Sequence, residues 1–305
     1  MNAPQPSARR AIPNRHYGQW FAAFVIVVVA ALLIRSVATN EAIQWSKIGS
    51  RLFLHSIIAG LYTTILLTVA SMLLGVVGGI AVAVMRLSDN FVLSRLASAY
   101  IWLFRGTPIL VQILIWFNLA LFFPTLGFGV LSVDTNSVIT PFGAALLGLA
   151  LNEAAYMSEI VRGGILAVDA GQKEAAQALG MSNGRIMKRI VLPQAMRVII
   201  PPTGNELITV LKTTSLVAVI GAGDLLTKAQ SVGAVDFTKM EMLIVASIWY
   251  LLLTTLASFG QARLERHYGR SLNRDGSTGM MSRLTGFRRP SPQTAAFNTT
   301  LESAK

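Results

Sequence analysis

The chain has 305 residues, 53% of them hydrophobic and 13% charged, with a mean hydropathy of +0.57 and a formal charge of +12. Soluble domains carry about 25% charged residues, and a chain without cysteine has no disulfide framework. A soluble enzyme, a disordered chain and a secreted disulfide scaffold are therefore excluded.

Four runs contain no Asp, Glu, Lys or Arg: Tyr17 to Ile34, Leu52 to Met85, Gly106 to Val133 and Met242 to Ala262, of 18, 34, 28 and 21 residues. About 20 apolar residues cross a bilayer as helix, so the chain reads as a polytopic, all-α membrane protein with six spans. The first is residues 20–38. A secretory signal is rejected for it, because no small-residue cleavage site follows and five more spans do. The second lies within 52–85, whose 34 residues measure ~51 Å as helix; its first turns, Arg51 to Ile58, are expected along the surface. The third is 106–123, and the fourth starts at Pro141, a residue suited to the first helical position. The fifth is 205–222, interrupted by Lys212, and the sixth is 242–262. On the second span Ser71, Gly75, Gly79 and Ala83 recur every four residues, a stripe that permits close helix approach in lipid.

With the N-terminus cytoplasmic, 20 of the 26 basic residues fall on the inner side, as the positive-inside rule requires. Both termini are then inside, and the positive charge reflects topology and anionic lipid rather than nucleic acid. With His16, His55 and His267 far apart, no metal site is expected. The sequence divides into a basic segment (1–18), an extra span with its outer connection (19–51), a core of five spans (52–267) and a polar basic tail (268–305), read as disordered from its composition.

Residues 169–204, between the fourth and fifth spans, are too polar to cross. Lys173 to Leu179 is strong helix-forming sequence, which Gly180 can end in the left-handed conformation. Ser182 or Asn183 can cap a second helix, Gly184 to Leu192, and Pro193 is expected to stop it. Ala175, Ala176, Leu179, Ile186, Ile190 and Val191 are predicted to form the buried side of this pair. A compact cationic helix–turn–helix hung between two spans suits docking of a cytoplasmic partner.

The pattern Glu174-Ala175-Ala176, three residues, Gly180, nine residues, Ile190, one residue, Leu192-Pro193 resembles the signature loop of permease subunits of bacterial ATP-binding-cassette importers. Further segments resemble the polar amino-acid branch: Arg105-Gly106-Thr107-Pro108 with Gln112, Ala155-Tyr156 with Glu159 and Arg162-Gly163, Gly171-Gln172, Leu192-Pro193-Gln194-Ala195, and Leu211-Lys212 with Thr214-Ser215-Leu216. The resemblance covers residues 52–267. It implies the type I importer fold with one added span, a bacterial inner-membrane location, and no catalytic residue in this chain. It also implies three protein partners: cytoplasmic ATPase subunits, an extracytoplasmic amino-acid-binding protein, and a second permease, either a copy or a homologue. The loop is expected to seat in a groove of the ATPase. ATP and Mg belong to that partner, since a phosphate-binding loop needs Gly-Lys and the dipeptide is absent here.

Counting ~1.5 Å per residue from Pro141 places Glu153 ~18 Å, Glu159 ~27 Å and Arg162 ~31 Å along the fourth span. Glu159 and Arg162, spaced i,i+3, are expected to pair, as a lock on the helix end or as gating charges. Glu153 lies near the midplane, where an ionised carboxylate costs at least ~2.5 kcal/mol. It reads either as a substrate contact or as a group bonded to another span, with Asn152 and Tyr156 as neutral partners. Lys212 is expected to snorkel or pair across the bundle. An ion-gradient secondary transporter is the competing function and predicts internal repeats, of which none is evident. An intramembrane hydrolase needs a histidine that no span provides.

Overall fold

The computed structural model describes residues 17–127 and 132–269. Most of the segments 1–18 and 268–305, with the composition-based readings made of them, lies outside the described residues.

The elements follow the apolar runs, with informative departures. Helix α1 (Tyr17–Ala38) is the first span and has no buried residue. The short helix α2 (Trp45–Arg51) lies before the second span. That span, α3 (His55–Arg86), is one continuous helix of 32 residues. The expected surface stretch, Arg51 to Ile58, takes in the end of α2, the break at 52–54 and only the first turn of α3. Within Arg51–Ile58 only Ile57 is buried, joining Ile48, Leu225, Ala229, Met242 and Val245 in one apolar cluster, while Phe53, Leu54, His55 and Ile58 are exposed.

The small-residue stripe is the face on which α3 meets α7 (Pro141–Leu166). A Cβ at Gly75 would stand 2.5 Å from Glu153 Cγ, and one at Gly79 would stand 2.5 Å from Met157 Cβ. Only glycine lets the two helices approach this closely.

The third span begins earlier than its charge-free run and is broken. Helices α4 (Phe91–Gly106) and α5 (Ile109–Phe117) meet at 102° across Thr107-Pro108. Asn90 caps α4 by accepting from the Val92 and Leu93 N–H groups. After α5 a two-stranded antiparallel ribbon, β1 (Thr125–Leu126) with β2 (Val133–Asp134), and a turn of helix, α6 (Thr135–Val138), lead to α7. Thr140 caps α7 with its hydroxyl, and Pro141 fills the first turn as expected.

Beyond α7 come α8 (Ala170–Ala178) and α9 (Asn183–Ile186), then a π turn over Met187–Val191 that runs directly into α10 (Leu192–Thr213). Pro193 therefore does not stop a helix. It sits in the first turn of α10, where a missing N–H is tolerated, and the helix that carries the fifth span starts at Leu192, ahead of residue 205. Pro201 and Pro202 lie inside α10, with the Pro201 carbonyl accepting from Gln261 Nε2 at 2.5 Å. A 3-10 segment (Thr214–Ile220) ends at Gly221, which with Gly223 has positive φ (66° and 81°). Helix α11 (Leu225–Val235) then bends away by 45°, and α12 (Lys239–Gly269) is the sixth span.

Candidate substrate cavity and coupling segment

The break in the third span creates the site. Tyr100 Oη donates to Leu151 O at 2.6 Å, so the end of α4 lies level with the middle of α7. Backbone freed at a break inside the bundle needs partners. Gln112, 6% exposed, donates through Nε2 to Phe104 O (2.9 Å), Thr107 O (3.1 Å) and Thr107 Oγ1 (2.8 Å). Asn152 Nδ2 donates to Phe104 O at 2.9 Å and to Gln112 Oε1 at 3.3 Å. The amide of Asn152 thus holds the break together from α7.

Beside the break lies a cavity of about 360 Å³. Thr107, Pro108 and Ile109 line it from the break, Leu149, Asn152, Glu153 and Tyr156 from α7, and Glu206, Thr209, Val210 and Thr213 from α10. Glu153 is only 3% exposed, and its Oε1 has no hydrogen-bond partner. The Arg105 guanidinium stacks over the Tyr156 ring at 5.0 Å and is near enough to act on Glu206 electrostatically. The three α7 residues singled out from sequence therefore share one cavity.

Two cavity features were missed. Glu206 stands at the start of the fifth span as bounded from sequence, residues 205–222. With α10 starting at Leu192, Glu206 lies ~21 Å along that helix. Its spacing to Thr209, Val210 and Thr213 on one helical face was the available signal. Arg105 is one of the 20 basic residues counted on the inner side, yet α4 carries it to the level of Tyr156.

One turn beyond the cavity, Arg162 Nη2 and Nε donate to Glu159 Oε2 at 2.7 and 3.1 Å. Lys212 has an exposed side chain and makes no ion pair among the described residues, so of its two expected arrangements the pairing across the bundle is not seen.

The segment between α7 and α10 turns on a glycine. Gly180 has φ +74°, and the Met181 N–H donates to Ala176 O at 3.1 Å while the Gly180 N–H donates to Gln177 O at 2.9 Å. This closing pattern requires a left-handed residue. Ala176, Ile186 and Val191 are buried and Ile190 half-buried, continuous with Met157, Val161, Ala195 and Ile199. The expected burial of Ala175 and Leu179 is wrong: both are exposed, Leu179 at 83%. A two-turn helix buries one narrow stripe, which Ala176 occupies, and Leu179 at its end points outward. Glu174, Leu192 and Pro193 are also exposed. Gln194 Nε2 ties the pieces, donating to Gln172 Oε1 at 2.6 Å and Ile190 O at 2.9 Å.

A helical bundle with a broken span, a polar cavity at the break and a rigid polar loop on one end defines a membrane permease. Residues 75–270 match the family described as binding-protein-dependent transport system inner membrane component. The arginine transport system permease ArgU of Corynebacterium glutamicum is 46% identical over 88% of this chain and 86% of its own length. ArtQ of Bacillus subtilis, also an arginine transport system permease, is 40% identical over 69% and 91%. The crystal structure of an amino acid ABC transporter with histidines shares 36% identity, with a TM-score of 0.62 over 70% of this chain and 94% of that one. The chain belongs to this family of ABC importer permeases, within its amino-acid branch. It is a multi-pass inner-membrane component and not the catalytic subunit.

Proposed function

We propose that this permease imports a positively charged polar amino acid, held in the cavity between α5, α7 and α10, and that a cytoplasmic ATPase drives release by gripping the α8–α9 segment. The observation that carries the substrate reading is Glu153 Oε1, buried and unpartnered in a cavity that holds a second carboxylate, Glu206. A guanidinium or ammonium group supplies the missing N–H donors, and charge-assisted bonds are the strong ones. The first turn of α5, which has no side-chain cap, and Arg105 offer positive ends to an α-carboxylate, as discontinuous helices do in other transporters. The names of two relatives, both arginine permeases, support this class.

In this reading ATP and Mg belong to the ATPase, and a soluble amino-acid-binding protein delivers the substrate on the outer side. A second permease, a copy or a homologue, covers the polar face of α10, where Asn205, Thr209 and Lys212 are exposed; such a face is costly against lipid. Glu174, Ala175, Leu179, Leu192 and Pro193 form the ATPase contact, and Ala176, Gly180 and Ile190 hold its shape. Glu159 and Arg162 lock or gate the inner end of α7. Both termini are cytoplasmic, so a reporter active only outside the membrane stays silent when fused after Lys305; strong activity there overturns the orientation.

The function is tested with the permease, its ATPase and its binding protein reconstituted in liposomes. Labelled arginine uptake should require ATP, be competed by lysine, and be unaffected by glutamate. Uptake driven by an ion gradient without ATP, or competition by glutamate alone, contradicts the proposal.

A further inference from the structure

At the end of the bundle away from α8 and α9, the turn between α11 and α12 carries an unusual residue. Phe237 has φ +55°, the one non-glycine with positive φ among the described residues. A bulky side chain in that region is a backbone outlier, and it persists only when its surroundings impose it. The surroundings here do so. Asp236 is ion-paired with Arg51 of α2. The Asp236 N–H donates to Val232 O at 3.1 Å, and the Thr238 N–H donates to Gly233 O at 3.0 Å. A Cβ at Gly233 would lie 3.0 Å from Lys239 Cα, so the two helices close tightly below the turn. Glu241 accepts the Gln44 N–H at 3.2 Å, a second tie to the segment before α3.

The imposed conformation does not bury Phe237; it projects it. Phe237 is 94% exposed, with Val235 at 78% and Met240 at 62% beside it and the exposed Lys239 next to them. A braced turn that holds a strained backbone in order to aim an aromatic ring outward has the form of an interface anchor, since buried aromatics dominate binding energy. Fluid lipid accepts a ring in any direction and needs no fixed one. A structured partner does.

We infer that the 235–240 turn is the knuckle on which the soluble amino-acid-binding protein docks, with Phe237 entering an apolar pocket rimmed by acidic groups that meet Lys239. This rests on the proposed importer reading, under which the turn lies on the outer side, and on membership of a binding-protein-dependent family. Asparagine tolerates left-handed backbone, so Phe237→Asn removes the ring and keeps the turn. Lys239→Glu tests the rim independently at an exposed position.

The measurement is stimulation of ATPase activity in the reconstituted complex, titrated with its binding protein. Phe237→Asn should raise the half-saturating concentration of binding protein by about tenfold, as for loss of one aromatic anchor. Maximal rate should recover at excess binding protein, and unstimulated activity should be unchanged. Lys239→Glu should raise half-saturation as well, with a weaker dependence on salt than wild type. If both variants titrate as wild type does, the turn faces lipid or a second permease and the inference is overturned. If the wild-type complex itself ignores the binding protein, the importer reading fails first and takes the inference with it.

Discussion

Gly180→Val is expected to cut ATP-driven uptake by about tenfold or more while the permease accumulates normally in the membrane. The left-handed region costs an L-residue ~1–2 kcal/mol, and a β-branched side chain is less suited to it still. No atom lies within 4 Å of a Cβ built at Gly180, so the effect is purely conformational. It falls on the turn that sets the angle between α8 and α9. Ala176, Ile186 and Val191 connect that turn through one apolar cluster to Met157 and Val161 of α7. A loop shifted by its strained turn loses its fit to the ATPase and its grip on the span. Gly180→Asn separates the causes, because asparagine accepts positive φ; it should transport within about twofold of wild type. Normal uptake by the valine variant would mean the segment does not transmit the ATPase stroke.

Glu153→Gln should leave assembly and ATP hydrolysis intact and raise the half-saturation for uptake. Glutamine keeps the shape against Gly75 and one carbonyl acceptor but removes the charge. Charge-assisted hydrogen bonds are about twice as strong as neutral ones, and losing that difference costs ~1.5 kcal/mol, about tenfold in affinity. The readout is the concentration dependence of labelled arginine uptake. An unchanged half-saturation makes Glu153 a structural group and assigns the substrate to neutral contacts.

Much of this was legible from residue order. Charge-free runs located the spans, because a bilayer core excludes charge over a fixed length. Gly180 announced a left-handed helix end. Glu153 stood out because a carboxylate twelve residues into an apolar helix needs a reason. What failed has a common physical origin: apolar length reports that a segment is in the membrane, not how it runs there. The break at Thr107-Pro108 depends on Gln112 and Asn152 reaching over to satisfy freed carbonyls, a contact between α4, α5 and α7 that no local pattern encodes. Bounds of 205–222 for the fifth span set Glu206 at its start, whereas α10 runs back to Leu192 and carries Glu206 well inside the helix. The outward Leu179 could not be read from a helix of nine residues, too short for its apolar stripe to be distinguished from its surface. The strain at Phe237 comes from ties to α2 and was equally invisible.

Under the proposed function the permease itself holds the cationic amino acid beside Glu153 and Glu206. The most direct measurement is equilibrium binding of labelled arginine to the purified permease–ATPase complex with no soluble binding protein and no nucleotide present. Binding should be saturable, displaced by lysine but not by glutamate, and weakened about tenfold by Glu153→Gln. Arginine that binds only when the soluble protein is present, or equally well to wild type and Glu153→Gln, would contradict the proposal.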